Sequence, residues 1–170
     1  GAGGVMLALA ADIVFARAGV VLNPHYKTMG LYGSEYWTYS LPRAVGSEVA
    51  HKLVEECLPI SAPQARHWGM VQDIGPRCPR AFGLWLLQQA SDALTDERYA
   101  LHRARKSNMD LAQIERCREN ELAQMRLDMV ENRQQFAEKC RNFVFKRKTC
   151  QTPQRLQAPW ALVPRATLVD

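Results

Sequence analysis

Apolar and polar positions follow mixed helical and strand periods over the first 95 residues and a helical period alone afterwards. The opening GAGG at 1–4, followed by VMLALAA at 5–11, predicts a glycine turn leading into a short helix of small residues that Asp12 ends. The runs IVF at 13–15 and VVL at 20–22 are β-rich and predict a pair of short strands with Gly19 in the connection. NPHYKTMGLYGSEYW at 23–37 then reads as a loop, and loops on a rigid scaffold often carry function. From Ser34 the period turns helical. Ser34 is placed to cap, Tyr36, Tyr39 and Ser40 fall at i, i+3, i+4, Pro42 interrupts the run and Gly46 closes it. Val49, Leu53 and Cys57, with Ala50 and Val54, form one face of a second helix. Ser61 and Gln64 make a capping box with Pro63 in the first turn, and Gly69 stands where a C-cap belongs, so a two-turn helix is predicted over about 62–68. A short strand at 70–74 and a helix over 82–94 complete this part.

After Thr95 the chain becomes charged and glutamine-rich, with almost no glycine or proline until Pro153, which predicts long helices. Leu111, Ile114, Leu122, Met125 and Met129 form an expected apolar stripe, and Phe136, Cys140, Phe143 and Val144 continue it in a further helix. Pro153, Pro159 and Pro164 forbid a long helix at the end, so an extended tail is expected. The division is therefore 1–95, 96–148 as a helical subdomain, and 149–170 as tail.

Composition narrows the class. With 170 residues and 47% hydrophobic positions the chain can bury a real core. Its longest apolar run, Val5 to Ala11, is far short of the roughly 18 residues of a membrane span, and no signal-peptide pattern is present. Five cysteines at 57, 78, 117, 140 and 150, with no C-x-x-C pair, suggest neither a disulfide framework nor a zinc site, and a reducing, cytoplasmic setting is expected. The net charge of +5 gathers in the last quarter, at Lys139, Arg141, Lys146, Arg147, Lys148, Arg155 and Arg165, as a solvated basic surface does. The chain starts at Gly1 inside a glycine-alanine stretch that needs something before it, so a piece of a longer protein is expected, inactive and poorly folded alone.

The order of these elements, with RAVG at 43–46 and PISAPQARHWGMV at 59–71, resembles the second half of the crotonase (enoyl-CoA hydratase/isomerase) core. The resemblance implies an α/β fold of the ClpP/crotonase type followed by a mostly α-helical C-terminal extension. The string at 23–37 with TYSLPR at 38–43, and NFVFK at 142–146 with Thr152-Pro153, is similar to a branch of that superfamily serving nickel-iron hydrogenase maturation. That branch implies an upstream formyltransferase-like domain using tetrahydrofolate, a formyl group passed to coenzyme A, and release of carbon monoxide from formyl-CoA by the crotonase-like part.

The family pattern implies a backbone N–H at Gly3 as one oxyanion donor, since unpaired N–H groups and the helix dipole converge at a helix start. Counting from Asp12 and Gly46, the two glutamates of the hydratases fall on Met6 and Tyr26, and methionine transfers no protons. Tyr26 and Glu35 are the expected acid-base pair. His25 is placed to orient Tyr26, and Tyr32, Tyr36 and Trp37, with Tyr39, are expected to wall an apolar pocket. Each has an ordinary alternative as a packing aromatic or a helix-start acid. His51, His67 and His102 show no ligand spacing, and no metal is expected. A general enoyl-CoA hydratase or isomerase remains an alternative, as does a non-catalytic assembly module that meets other maturation proteins; nucleic acid and membranes are not expected partners.

Overall fold

The computed structural model describes residues 1–105 and 109–147. Helix α1 (Ala2–Leu9) takes Gly1 as its N-cap, so Gly3 and Gly4 lie inside its first turn rather than ahead of it. Ala2, Val5 and Met6 are its buried residues, and it stops at Ala10, two residues before Asp12. The strands β1 (Phe15–Arg17) and β2 (Val21–Leu22) exist but do not pair with each other. β1 runs parallel to β4 (Asp73–Gly75), with Phe15 opposite Asp73, and β2 runs antiparallel to β3 (Ile60–Ser61), with Val21 opposite Ser61. Gly19, at φ +86°, turns the chain from one sheet to the other. Met70 and Val71, expected in the strand, precede it. Their N–H groups return to the Ala65 carbonyl, and both side chains are buried.

Helix α2 (Trp37–Val45) starts after Tyr36, which takes a left-handed conformation at φ 56°; Ser34 does not cap it. Pro42 lies inside α2 without ending it. Only one intrahelical bond is lost to the missing N–H, and the helix closes on Gly46, whose N–H donates to the Pro42 carbonyl at 2.9 Å. Helix α3 (Ser47–Glu56) buries Ala50, Leu53 and Val54 as expected and hands over to Cys57 at φ 52°. Helix α4 (Ala62–His67) carries both halves of its capping box: Gln64 N–H donates to Ser61 Oγ, and Ser61 N–H to Gln64 Oε1. Met6, Leu41, Ala62, Ala65, Met70 and Val71 form the centre of the core these elements enclose.

Helix α5 (Pro79–Asp92) begins three residues earlier than its apolar pattern suggests, with Pro79 at a position where the missing N–H costs nothing. Its Trp85 meets Phe15 edge-on, with ring centroids 5.5 Å apart, and stacks on Phe82 at 5.7 Å. Helix α6 (Ala100–Arg105) follows a short 3-10 turn whose Tyr99 is buried against Phe15.

Helix α7 (Leu111–Met129) departs most from expectation. Leu111, Leu122 and Met129 face outward, while its fully buried residues are Glu121 and Asp128. The physical reason is what it packs on: a stretch of loop backbone with unpaired N–H groups, which acceptors satisfy and methyl groups do not. In helix α8 (Phe136–Val144) Phe136 and Cys140 are half-buried near a 3-10 turn at Lys27–Met29, whereas Phe143 and Val144 are exposed. Lys139 Nζ donates to the Lys27 carbonyl at 3.4 Å. The expected extended tail lies outside the described residues.

The β4–α5 contact gives a paired stability test. A Cβ at Gly75 would overlap the Trp85 ring and crowd Phe82, whereas one at Gly83, inside α5, meets nothing within 4 Å. Gly75→Ala should therefore cost about 1–3 kcal/mol by overpacking, while Gly83→Ala should be neutral or add about 0.5–1 kcal/mol by restricting the unfolded chain. Chemical denaturation followed by circular dichroism reads both; equal midpoints would contradict the packing described.

Candidate functional site

The site is built on the loop between β2 and α2. Tyr26 opens the 3-10 turn, and its carbonyl accepts from Met29 N–H at 2.9 Å. Its ring, 5% exposed, lies against the backbone of Gly33. A Cβ there would stand 2.5 Å from Tyr26 Cδ2, and Gly33 has φ +95°, so both space and conformation require glycine. The Tyr26 hydroxyl is buried beside the Glu35 carboxylate. Burial first, then the adjacent Glu35 carboxylate, then the charge of Glu121 push its pKa well above the ordinary tyrosine value, so the phenol keeps its proton through the whole neutral range.

Glu35 reaches from the same loop toward α1. Its Oε2 accepts from Ser34 N–H at 3.1 Å, and its Oε1 would stand 3.1 Å from a Cβ at Gly3. The glycine at position 3 thus makes room for the carboxylate. Gly3 is in the first turn of α1, where helix geometry leaves the backbone N–H without an intrahelical acceptor. Gly3, Tyr26 and Glu35, three of the expected site residues, are brought together.

Beside Glu35 opens a cavity of about 770 Å³, which Gly3 and Tyr26 do not themselves line. Met6, Leu7, Glu35, Tyr36 and Tyr39 line one part of it, Val14, Met70 and Gln72 another, and Met109 and Ile114 reach it from the helical end of the chain. Arg43 stands at the wall with its guanidinium 4.9 Å from the Tyr39 ring centroid, and the Tyr39 hydroxyl is buried without a partner. Met6, 1% exposed, is both core and lining, and presents a thioether to the cavity.

Other expected residues lie elsewhere. His25 is buried with Nδ1 3.5 Å from Thr28 Oγ1, and burial lowers its pKa, which keeps the ring neutral; it does not line the cavity. Tyr32 packs on Trp37, ring centroids 5.2 Å apart, and neither lines the cavity. Of the predicted wall, Tyr36 and Tyr39 are in place; Leu7 and Met6 take the rest. Tyr32 and Trp37 are drawn away because the Tyr32 N–H is held at 2.7 Å by Asp128 Oδ2 on α7.

Three residues of α7 fix this loop, two of them acids that the sequence gives no reason to select. Glu121 accepts from Tyr36 N–H at 2.8 Å, Thr38 N–H at 2.8 Å and Thr38 Oγ1 at 2.6 Å. Gly33 N–H points to Met125 Sδ at 3.2 Å. Asp128 adds a salt bridge to Arg133 at 2.8 Å and accepts from Gln134 Nε2 at 3.1 Å. In the sequence Glu121 and Asp128 look like any solvated acid on a polar helix. Among the described residues no group of three His, Cys, Asp or Glu side chains could hold a metal ion, and no helix is long and apolar enough to cross a membrane.

Residues 1–151 match the enoyl-CoA hydratase/isomerase family. The chain belongs to the enoyl-CoA hydratase/isomerase family. Within it, the chain is 36% identical over 161 residues to the hydrogenase maturation factor HoxX of Bradyrhizobium diazoefficiens, covering 90% of this chain and 28% of that protein. The crystal structure of HypX from Aquifex aeolicus, in complex with tetrahydrofolic acid, superposes with a TM-score of 0.77 at 37% identity, over 89% of this chain and 28% of HypX. An enoyl-CoA hydratase from Mycobacterium avium subsp. paratuberculosis shares the fold at 19% identity, TM-score 0.72, covering 89% of this chain and 61% of the hydratase. The chain thus spans little more than a quarter of the maturation factors it matches, and it resembles the crotonase-like part of HypX and HoxX.

The raised pKa of Tyr26 makes a signed prediction. The folded state holds the phenolic proton above the pH at which an unfolded tyrosine loses it, so stability is complete below about pH 10 and falls as pH rises beyond that. Tyr26→Phe should lessen the alkaline loss of stability between pH 9 and 11, measured as urea midpoints. An unchanged pH dependence would show that the hydroxyl is not held in the folded state as described.

Proposed function

We propose that this chain is the thioester-handling part of a hydrogenase maturation enzyme, and that it releases carbon monoxide from formyl-CoA for a nickel-iron hydrogenase. One observation carries the reading: the Glu35 carboxylate, folded over Gly3 in the first turn of α1, stands beside a buried, protonated Tyr26 hydroxyl and faces an apolar cavity that Met6 lines. Support from relatives is the likeness to HoxX and HypX.

The chemistry asks for little machinery. Glu35 takes the formyl C–H proton; the C–H electron pair stays on carbon, the C–S bond breaks, and its electrons leave with sulfur. Carbon monoxide departs, and the proton passes to the thiolate to give coenzyme A. The Gly3 N–H polarises the thioester carbonyl, which makes the formyl hydrogen more acidic. Tyr26, fixed in its protonated form, donates to the sulfur as charge develops there. Hydration needs a second acid-base group at the Met6 position, and the methionine side chain also keeps water from that wall. An upstream formyltransferase-like domain using tetrahydrofolate would supply the formyl group, residues 1–95 are the crotonase-like half-core, and 96–148 are the helical subdomain closing over it.

In the full-length natural chain containing these residues, Glu35→Gln and Tyr26→Phe should each cut carbon monoxide release from formyl-CoA at least about 100-fold, the range general acid-base groups contribute. Binding of coenzyme A, by calorimetry, should change less than about threefold, since neither side chain need touch the nucleotide end. Met6→Leu should cost below about 1.5 kcal/mol of stability and leave turnover intact. Parental carbon monoxide release by folded, CoA-bound Glu35→Gln would remove Glu35 as the base; enoyl-CoA hydration by the parent chain would favour the general hydratase instead.

A further inference from the structure

We propose that Glu121, on α7, is a positioning residue for the chemistry at Glu35: it caps the N-terminus of α2 from outside and so fixes the backbone that presents Glu35 to Tyr26 and Gly3. This rests on the reading of Glu35 given above. The argument starts from an unmet need. The first turn of α2 has N–H groups without intrahelical acceptors, and the residue at its N-cap, Tyr36, makes no side-chain cap bond and sits at φ 56°, a left-handed conformation that a residue with a Cβ adopts only when its surroundings hold it there.

Glu121 meets that need. One carboxylate oxygen takes Tyr36 N–H at 2.8 Å; the other takes Thr38 N–H at 2.8 Å and the Thr38 hydroxyl at 2.6 Å. The side chain is fully buried, 0% exposed, so water cannot replace it. Tyr36 is the residue after Glu35, and the peptide Glu121 holds is the one joining them. A carboxylate at a helix N-terminus is also favoured by the dipole. A charged group is seldom buried for packing alone, because its desolvation is costly unless every lone pair is used. Here three donors converge on it, all belonging to the two residues that follow the proposed base by one and three positions. The neighbouring Met125 and Asp128 hold Gly33 and Tyr32 earlier in the loop, so Glu121 governs the end that matters for the base.

Glu121→Gln in the full-length natural chain keeps shape but supplies only one accepting oxygen and turns an NH2 group toward a backbone donor. We expect hydrogen-deuterium exchange at residues 34–39 to quicken at least tenfold with the rest of the chain unchanged, and kcat for carbon monoxide release from formyl-CoA to fall at least tenfold with KM within threefold. Exchange at 34–39 equal to the parent overturns the proposal. So does faster exchange with parental kcat, and so does a general rise in exchange across the chain with kcat and KM failing together, which marks a merely structural role. Should Glu121→Gln not fold, Thr38→Val removes one of the three bonds and Thr38→Ser restores the hydroxyl; kcat should fall at least threefold in the first and recover in the second, and a Thr38→Val chain as fast as the parent overturns the proposal. Glu35→Gln measured alongside separates the two failures: if it turns over normally the base assignment falls and this inference with it, whereas an inactive Glu35→Gln beside a fully active Glu121→Gln overturns this inference alone.

Discussion

Three acceptors on one face of α7, the carboxylates of Glu121 and Asp128 and the thioether of Met125, hold four backbone N–H groups of the segment between Tyr32 and Thr38. Positions 121, 125 and 128 repeat at i, i+4 and i+7, so one helical face meets one stretch of extended loop. Buried backbone N–H groups must find partners, and this segment has too irregular a path to find them in a sheet or helix of its own. Hydrogen bonds to charged groups contribute about 1.5–3 kcal/mol each, against the desolvation of two carboxylates, and the balance is favourable only because nearly all their lone pairs are used. The loop is consequently held by its backbone, and its side chains are free to be chosen for other ends.

What the loop presents follows from that. Gly33 must be glycine because Tyr26 lies against it, and Tyr26 is thereby pressed into a buried position beside Glu35 where its hydroxyl keeps its proton. Glu35 folds back over Gly3 because Gly3 has no side chain to prevent it. A polar pair of this kind, an acid held protonated and a carboxylate beside it, at the edge of a cavity lined largely by Met6, Leu7, Val14 and Met70, suits a small reactive acyl group better than a reaction needing ordered water.

Local signals were readable where one short segment carries its own explanation. Ser61 and Gln64 cap each other, Gly46 and Gly69 close helices, and Leu53 with Ala50 and Val54 turn inward, all as their spacing implies. Gly3 and Tyr26 were within reach because the family pattern orders those positions, and Glu35 because a glycine-containing loop nine residues on can fold it back toward them. Strand pairing was not: IVF and VVL look like neighbours, yet each finds its partner some forty to sixty residues away, which no local period encodes. The face of α7 was misread for a related reason. Of the expected stripe Leu111, Ile114, Leu122, Met125 and Met129, only Ile114 and Met125 turn inward, and the surface α7 meets, loop backbone rather than a groove of side chains, decides that Glu121 and Asp128 are buried where Leu111, Leu122 and Met129 are not. Ser34 has no capping role because α2 begins only after Tyr36, two residues further on, where Glu121 accepts from the Thr38 N–H.

The central claim is that an acyl thioester places its reacting carbon between Gly3, Tyr26 and Glu35. A crystal structure of the full-length natural chain with an unreactive formyl-CoA analogue tests it most directly. The account predicts the analogue's sulfur within about 2.6–3.5 Å of the Tyr26 hydroxyl, its carbonyl oxygen on the Gly3 N–H, and a Glu35 oxygen facing the formyl carbon. An acyl end seated instead against Val14, Met70 and Gln72, out of reach of the Tyr26 hydroxyl, would contradict it.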